Sequence, residues 1–392
     1  MKLTYKHTQK ACCLAYVTGA IVNNFAALLY LMFQKSFGIT LFQIGFLMGL
    51  NFGIQIFVDL LGAKYAQQLG YRCCAVGAFV FAFLGLVMLP LLTAFTQNKF
   101  AAIVISISFS AIGSGMLEVI ISPITEALPI GEKEAAMSML HSFYCWGSVL
   151  VIGVSSLFFK LFGMENWRII TLIWALLPLS TLVIFLIVPI RTLPSSHSGF
   201  KGILSSKGFL IFLILMMCSG AGEIAMSQWA SYFAEDALKV SKTVGDLMGP
   251  CLFAVFMGIG RVGYALFSDK INLKAYLKLS SLGCVITYLV TAISPNPYLS
   301  LAGCAFTGLF VAIAWPGVLS LASQYNPKGG TGMFALLALA GDVGCTLGPQ
   351  IVVLGASKIN VLSSPIHSGL LLSALFPMIM IISMYFLKAK NS

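Results

Sequence analysis

Twelve long apolar blocks dominate this chain and restrict the solvent it can fold in. They fall at residues 11–34, 41–65, 73–95, 100–126, 135–159, 167–190, 208–233, 246–268, 274–294, 297–324, 331–356 and 366–388. A helix crossing a bilayer needs about 20 mostly apolar residues, since it rises ~1.5 Å per residue through ~30 Å of hydrocarbon. Each block reaches that length. Hydrocarbon offers no partner to backbone N–H and C=O groups, so the blocks are expected to be helices. Only 9% of the 392 residues are charged and the mean hydropathy is +0.96. A soluble domain carries about 25% charged residues. Disorder is excluded by the same composition. The sequence therefore predicts an all-α polytopic membrane protein with 12 transmembrane helices.

The net charge of +11 suggests a nucleic-acid partner, but its distribution is topological. With twelve spans both termini share one side. That side holds Lys2, Lys6, Lys10, Lys64, Arg72, Lys133, Arg191, Lys201, Lys207, Lys270, Lys274, Lys278, Lys328, Lys388 and Lys390. The opposite side holds Lys35, Lys99, Lys160, Arg168, Lys239, Lys242 and Lys358. The positive-inside rule then places both termini in the cytoplasm of a plasma (inner) membrane. No nucleic acid is needed to account for the charge. The opening MKLTYKHTQK runs into an apolar block too long for a signal-peptide core, so it is read as the retained first span. The ten cysteines form no CxxC pair and are read as small packing residues.

The second half of the chain echoes the first at a spacing of about 200 residues. FGITLFQIGFLMG (37–49) parallels LKVSKTVGDLMG (238–249), and YAQQLGYRCCAVGAF (65–79) parallels FSDKINLKAYLKLSS (267–281). GSGMLEVIISP (113–123) parallels GLFVAIAWP (308–316), and EAAMSMLHSFYCWG (134–147) parallels TGMFALLALAGDVG (331–344). This divides the chain into six-helix halves at 1–190 and 208–392, joined by a polar cytoplasmic linker at 191–207. Parallel repeats imply a pseudo-two-fold axis along the membrane normal and a solute site between the halves, the layout of a transporter working by alternating access.

Gly260-Arg261, Asp269-Lys270 and Lys274 after helix 8 resemble the signature loop of the major facilitator superfamily. The copy after helix 2 keeps Gly70 and Arg72 but has Gln67-Gln68 in place of the Asp-Arg pair. The resemblance implies the major facilitator fold, and it assigns these loops to a cytoplasmic gate containing Arg72, Asp269 and Lys270. Within the superfamily, GSGMLEVIISPITEALP followed by HSFYCWG resembles the fucose–galactose–glucose:proton symporter branch. That resemblance implies a sugar and a proton as small-molecule partners. It places Glu118 at the proton and substrate site, with His141 and Tyr144 on helix 5. The branch's helix-1 Asp is missing, and Asn23 and Asn24 are the nearest residues.

Ionisable residues inside a bilayer cost at least ~2.5–3.5 kcal/mol each on insertion scales, so each needs a reason. Glu118 and Glu223 are candidates for proton coupling, because apolar surroundings favour the neutral form of a carboxyl and a carboxyl that changes charge can carry a proton. Glu223 aligns with Val22 to Asn24 in the repeat. Arg261 cannot shed its proton and needs a carboxylate, for which Asp342 and Glu223 are candidates; alternatively it anchors an anionic substrate through a bidentate fork. Asp59 aligns with Arg261 in the repeat and is read as part of the gate, the alternative being a pair with Lys64. Glu126 is expected to pair with Arg72. Trp146, Trp229 and Trp315 lie at mid-helix, away from the interface where Trp anchors a span; with Gln228 they complete the candidate substrate-binding set.

No HExxH metal motif and no P-loop occurs, so neither a metal nor a nucleotide cofactor is expected. The antiporter-type G-x-x-x-G-P run is missing from helix 5, although Gly344, Gly348 and Pro349 form one in helix 11. The leading reading is a proton-coupled transporter of a sugar or similar small polar solute, monomeric in the lipid bilayer and not an enzyme. The alternatives are an organic-anion:proton symporter anchored at Arg261 and a drug:proton antiporter. A periplasm-dependent reporter enzyme fused after Ser392 should be inactive, and an active fusion would reverse the orientation.

Overall fold

The computed structural model describes residues 3–129, 131–191, 208–234, 245, 247–327, 329–358 and 365–387. The first six helices are α1 (Tyr5–Phe37), α2 (Leu41–Leu69), α3 (Tyr71–Phe95), α4 (Lys99–Ala127), α5 (Lys133–Phe162) and α6 (Trp167–Ile187). They are followed by α7 (Phe209–Tyr232), α8 (Leu252–Phe267), α9 (Leu273–Ile293), α10 (Pro297–Tyr325), α11 (Gly330–Lys358) and α12 (Pro365–Phe386). No strand occurs among the described residues. Among the described residues ten helices, α3 to α12, are long and apolar enough to cross a membrane; α1 and α2, of 33 and 29 residues, bring the helices to twelve. All of the linker except Arg191 lies outside the described residues, as does most of the 238–249 repeat segment.

Helix boundaries follow local chemistry. Thr40 caps α2 by accepting from the Gln43 N–H, while Gln43 Oε1 accepts from the Thr40 N–H. Asn272 caps α9 by accepting from the Ala275 N–H, Asn296 caps α10 by accepting from the Tyr298 and Leu299 N–H groups, and Pro297 occupies the first position of α10, where no N–H is needed. Two spans expected to be continuous are broken. The α-helix of α10 stops at Val311 and restarts at Ala314, and that of α12 is interrupted at Ala374. Each break lies a few residues before a proline, Pro316 or Pro377, whose missing N–H removes one rung of the helical ladder.

Two compact units are present. The first contains residues 1–130, 143–195 and 330–335, and the second contains 131–142, 196–329 and 336–392. The start of α5 thus groups with the second unit, whereas the sequence repeat assigns all of it to the first half. Inside the first unit α3 packs on α4 and α6, and α1 and α2 pack on α4. Inside the second, α9 packs on α10 and α12, and α7 and α8 pack on α10. The two packing schemes are the same with six helices' offset.

Glycines set this packing, because hydrocarbon gives apolar helices no reason to associate beyond close contact. A Cβ on Gly115 would lie 3.2 Å from Gln55 Cα, and one on Gly62 would lie 2.7 Å from a Val119 methyl. In the second unit a Cβ on Gly308 would lie 2.2 Å from Phe253 O, and one on Gly260 would lie 2.7 Å from Ala312 Cβ. Gln55 to Phe253 and Gly62 to Gly260 are each 198 residues apart. Gly115 to Gly308 and Val119 to Ala312 are each 193 apart. The α2–α4 crossing is therefore repeated as the α8–α10 crossing, residue for residue. This register pairs Asp59 with Met257 and Arg261 with Ala63, so the sequence alignment of Asp59 with Arg261 was out by one helical turn.

The helix ends repeat as well. Arg72, the second residue of α3, donates to the carbonyls of Phe185, Leu186 and Val188 at the end of α6, at 2.6, 2.6 and 2.7 Å. Lys274, the second residue of α9, donates to the carbonyl of Leu387 at the end of α12. A cation at a helix C-terminus satisfies carbonyls that have no intrahelical donor and complements the helix dipole. Arg72 thus caps α6, where the sequence suggested a pair with Glu126.

The antiporter-like run on α11 has a packing role. A Cβ on Gly344 would lie 1.9 Å from Met217 O, and one on Gly348 would lie 2.5 Å from Ala221 O, both on α7. Gly344→Ala should therefore destabilise the protein by about 1–3 kcal/mol, the usual cost of overpacking. Gly263→Ala on α8 meets nothing within 4 Å and should be neutral or slightly stabilising, since glycine is the poorer helix former. Thermal unfolding in detergent compares the two, and equal midpoints would refute the assignment.

Candidate functional site

Two buried polar groupings collect most of the ionisable and polar candidates. The first is on α1, α4 and α5 within the first unit. Helix α5 lies against α1 because Gly147 has no side chain; a Cβ there would sit 2.9 Å from Val17 Cα. That approach brings Asn24 to the face of α5. Asn24 Nδ2 donates to Ala20 O at 2.8 Å and Ser148 Oγ at 3.2 Å, and lies 3.5 Å from Tyr144 OH. Ser148 was not singled out from sequence. Its signal was its place one turn beyond Tyr144, on the same helix face. Asn23 Oδ1 is buried and accepts no hydrogen bond among the described residues.

Glu118 lies half-buried on α4. Its helix carries a polar residue at every fourth position: Ser106, Ser110, Ser114, Glu118, Ser122 and Glu126. Such a row drifts slowly around a helix, because four residues make slightly more than one turn. Gly115 and Val119 on either side of Glu118 contact α2, and Ser122 Oγ is 2.8 Å from Tyr16 OH on α1. The α2 face at this crossing bears Gln55, Val58, Asp59 and Gly62, with Gln55 and Asp59 buried. Asp59 is thus buried on the α2 face that meets α4 next to Glu118.

The second grouping lies within the second unit and centres on Arg261, which is 2% exposed. Its Nη2 pairs with Glu223 Oε2 on α7 at 3.2 Å. Its Nε donates to Ala312 O in the break of α10 at 2.8 Å, and its Nη1 donates to His141 O on α5 at 2.9 Å. Ser138 Oγ returns a hydrogen bond to the Arg261 carbonyl at 2.6 Å. Glu223 is thus an ion-pair partner of Arg261, and this clamp joins α7 and α8. Asp342 is buried on α11 beside Gly341, against which the Trp315 ring is pressed. His141 contributes its backbone carbonyl to the arginine.

The remaining candidates are more dispersed. Trp315 is buried and packs on α11; a Cβ on Gly341 would lie 2.2 Å from its ring. Trp146 is exposed on α5 at 38%, and Gln228 is exposed on α7 with Trp229 half-buried beside it. Asp269 and Lys270 are exposed in the short turn after α8, and Glu126 is half-buried near the end of α4.

Chemically, the two groupings differ. The Asn24–Tyr144–Ser148 group is neutral and offers amide and hydroxyl groups, the complement of a polyhydroxylated solute. The Arg261 group is charged, with its guanidinium surrounded by protein acceptors. Replacing Arg261 with Ala should cost roughly 3–5 kcal/mol of stability, because the Glu223 carboxylate would be left buried without its counter-charge. The double variant Arg261→Ala with Glu223→Ala should recover part of that loss. Thermal unfolding of the three proteins measures it, and a fully stable Arg261→Ala protein would contradict the structural pairing.

The model of the Major Facilitator Superfamily matches residues 11–349. Among solved structures, the chain is similar to FucP, a Major Facilitator Superfamily transporter, in the outward conformation. The TM-score is 0.78 with 15% identity, covering 98% of this chain and 99% of that one. A variant of the E. coli fucose:proton symporter FucP gives 0.74 with 16% identity, over 98% and 99% of the two chains. The proton:xylose symporter XylE, bound to 6-bromo-6-deoxy-D-glucose, gives 0.76 with 13% identity, over 97% and 95%. No curated protein sequence matches the chain. Identities this low establish the fold alone, whereas the family match covers most of the sequence. The chain belongs to the Major Facilitator Superfamily and is an integral, multi-pass membrane transporter.

Proposed function

We propose that this protein moves a small polar solute, most simply a sugar, together with a proton by alternating access. The observation that carries the reading is the neutral polar group on α1 and α5. Asn24, Tyr144 and Ser148 are linked by hydrogen bonds, and the buried Asn23 Oδ1 holds an acceptor position that a solute hydroxyl would satisfy. A buried acceptor left unmatched costs free energy, so a hydroxyl donor arriving there is favoured over an apolar solute. The fold's likeness to a fucose:proton and a xylose:proton symporter supports the same class. The organic-anion alternative loses support because the Arg261 guanidinium is directed at Glu223 and two backbone carbonyls. The drug-antiporter alternative loses its one motif, since Gly344 and Gly348 serve the packing of α11 on α7. We place the protein as a monomer in the inner membrane with both termini cytoplasmic, in keeping with its lysine and arginine distribution.

For the proton, Glu118 is the first candidate and Glu223 the second. Glu118 lies at a helix crossing and is half-buried, and Glu223 already has Arg261 as counter-charge. A proton drives transport only if it binds the two conformations with different affinity. Glu118→Gln keeps the size and most of the hydrogen-bonding capacity but removes the titration. In proteoliposomes this variant should bind sugar and perform counterflow at near wild-type rate, yet fail to accumulate sugar under an imposed pH gradient. Wild-type accumulation would move the proton to Glu223. Labelled monocarboxylate taken up in place of sugar by the wild-type protein would overturn the solute class.

A further inference from the structure

Residue Arg261 is bound to the start of α5 from two directions. Its side chain donates to His141 O, and its own carbonyl accepts from Ser138 Oγ. Ser138 and His141 lie three residues apart and so share one face of α5. A single residue of α8 therefore grips one turn of α5 through both side chain and main chain. Residues 131–142 belong to the second unit, whereas the rest of α5 belongs to the first. This grip is a polar contact between that segment and α8.

The guanidinium is aimed by two other groups. Pro316 has no N–H to offer the carbonyl four residues before it, and that carbonyl is Ala312 O. Arg261 Nε takes the vacated position at 2.8 Å. Glu223 Oε2 holds Nη2 at 3.2 Å. With Nε and Nη2 held on one side, the planar fork leaves Nη1 directed at His141 O. The glycine register shows that this assembly belongs to the second repeat alone. The Ala63 position answers to Arg261, and Asn23 answers to Glu223 through the α1–α5 and α7–α11 contacts at Val17 and Met217. Pro123 answers to Pro316, so the first repeat keeps the freed carbonyl, at Val119, but has no arginine to fill it.

We propose that Glu223, Arg261 and Pro316 form a latch whose hold on the start of α5 depends on the negative charge of Glu223. Glu223 and Pro316 act as positioning residues for Arg261. Neutralising Glu223 weakens the ion pair that aims Nη2, and the guanidinium then turns toward another acceptor and releases His141 O. Other titratable groups on the surrounding helices include His141 on α5, Cys218 on α7, Tyr264 on α8, Cys284 and Tyr288 on α9, Cys304 on α10, Asp342 and Cys345 on α11 and His367 on α12. Tyr288 donates its hydroxyl to Gly222 O, next to Glu223, and so helps fix that part of α7. The latch is independent of which solute is carried, and of the role proposed for Glu118.

Hydrogen–deuterium exchange of the full-length protein in nanodiscs tests this directly. In Glu223→Gln, amide exchange over 133–142 should rise at least tenfold, while 150–162 of the same helix stays at the wild-type rate. Pro316→Ala restores a helical donor for Ala312 O and makes α10 more regular, yet it should also speed exchange over 133–142, by a smaller factor. Ser138→Ala should do the same without touching the ion pair. The proposal is overturned if 133–142 keeps wild-type protection in Glu223→Gln, or if exchange rises evenly across α5 and α7, which would mean general destabilisation. It is likewise overturned if Pro316→Ala protects the segment better than wild type.

Discussion

In hydrocarbon, a backbone N–H or C=O that loses its helical partner has no water to turn to. That constraint organises the whole protein. It makes every span a helix, and it turns the polar side chains of those helices inward onto their own backbones. Thr93, Ser106, Thr171, Thr291 and Thr307 each donate to the carbonyl four residues earlier. It also removes the usual reason for apolar surfaces to associate, since a leucine is as well solvated by lipid as by another leucine. What remains is close approach of backbones, and so the contacts fall on Gly62, Gly115, Gly147, Gly308 and Gly344.

Proline is where the same constraint opens a site. Each proline inside a span frees a carbonyl, and in an apolar medium that carbonyl needs a donor. At Ala312 the donor is a permanently charged side chain, which in turn requires a carboxylate nearby. A missing N–H at Pro316, an arginine one helix away and a glutamate on a third helix are thus linked in one chain of requirements. The first repeat carries Pro123 at the matching place and neutral residues at Ala63 and Asn23. The repeats share their packing and differ in their charge. One offers amides and hydroxyls, and the other holds a buried ion pair.

Much of this was legible in the chain alone. Twelve apolar blocks and a repeat at about 200 residues are one-dimensional properties, and hydrocarbon thickness converts the blocks directly into helices. The family was readable from a short loop motif around Gly260 and Asp269. Burial of Asp59, Glu223, Arg261 and Asp342 followed from their positions within apolar runs. Other features were not legible, because they depend on which face of a helix meets which neighbour. The one-turn slip between Asp59 and Arg261 is of this kind, since weakly similar helices slide past each other in an alignment until a glycine contact fixes the register. So is Ser148, which acquires a partner only because Gly147 lets α5 close on α1. The cap on α6 by Arg72 depends on α3 starting where α6 ends.

Sequence by itself determined the solvent, the number of spans, their repeat and the identity of every group that the membrane makes expensive. Hydrophobicity is a local property, and a bilayer reads it locally. Tertiary structure alone decided the partners: Glu223 for Arg261, the freed carbonyl of Ala312 for its Nε, the α6 carbonyls for Arg72, and Ser148 for Asn24. A hydrogen bond or ion pair forms between atoms about 3 Å apart, and no spacing along the chain specifies which residues of two separate helices will come that close.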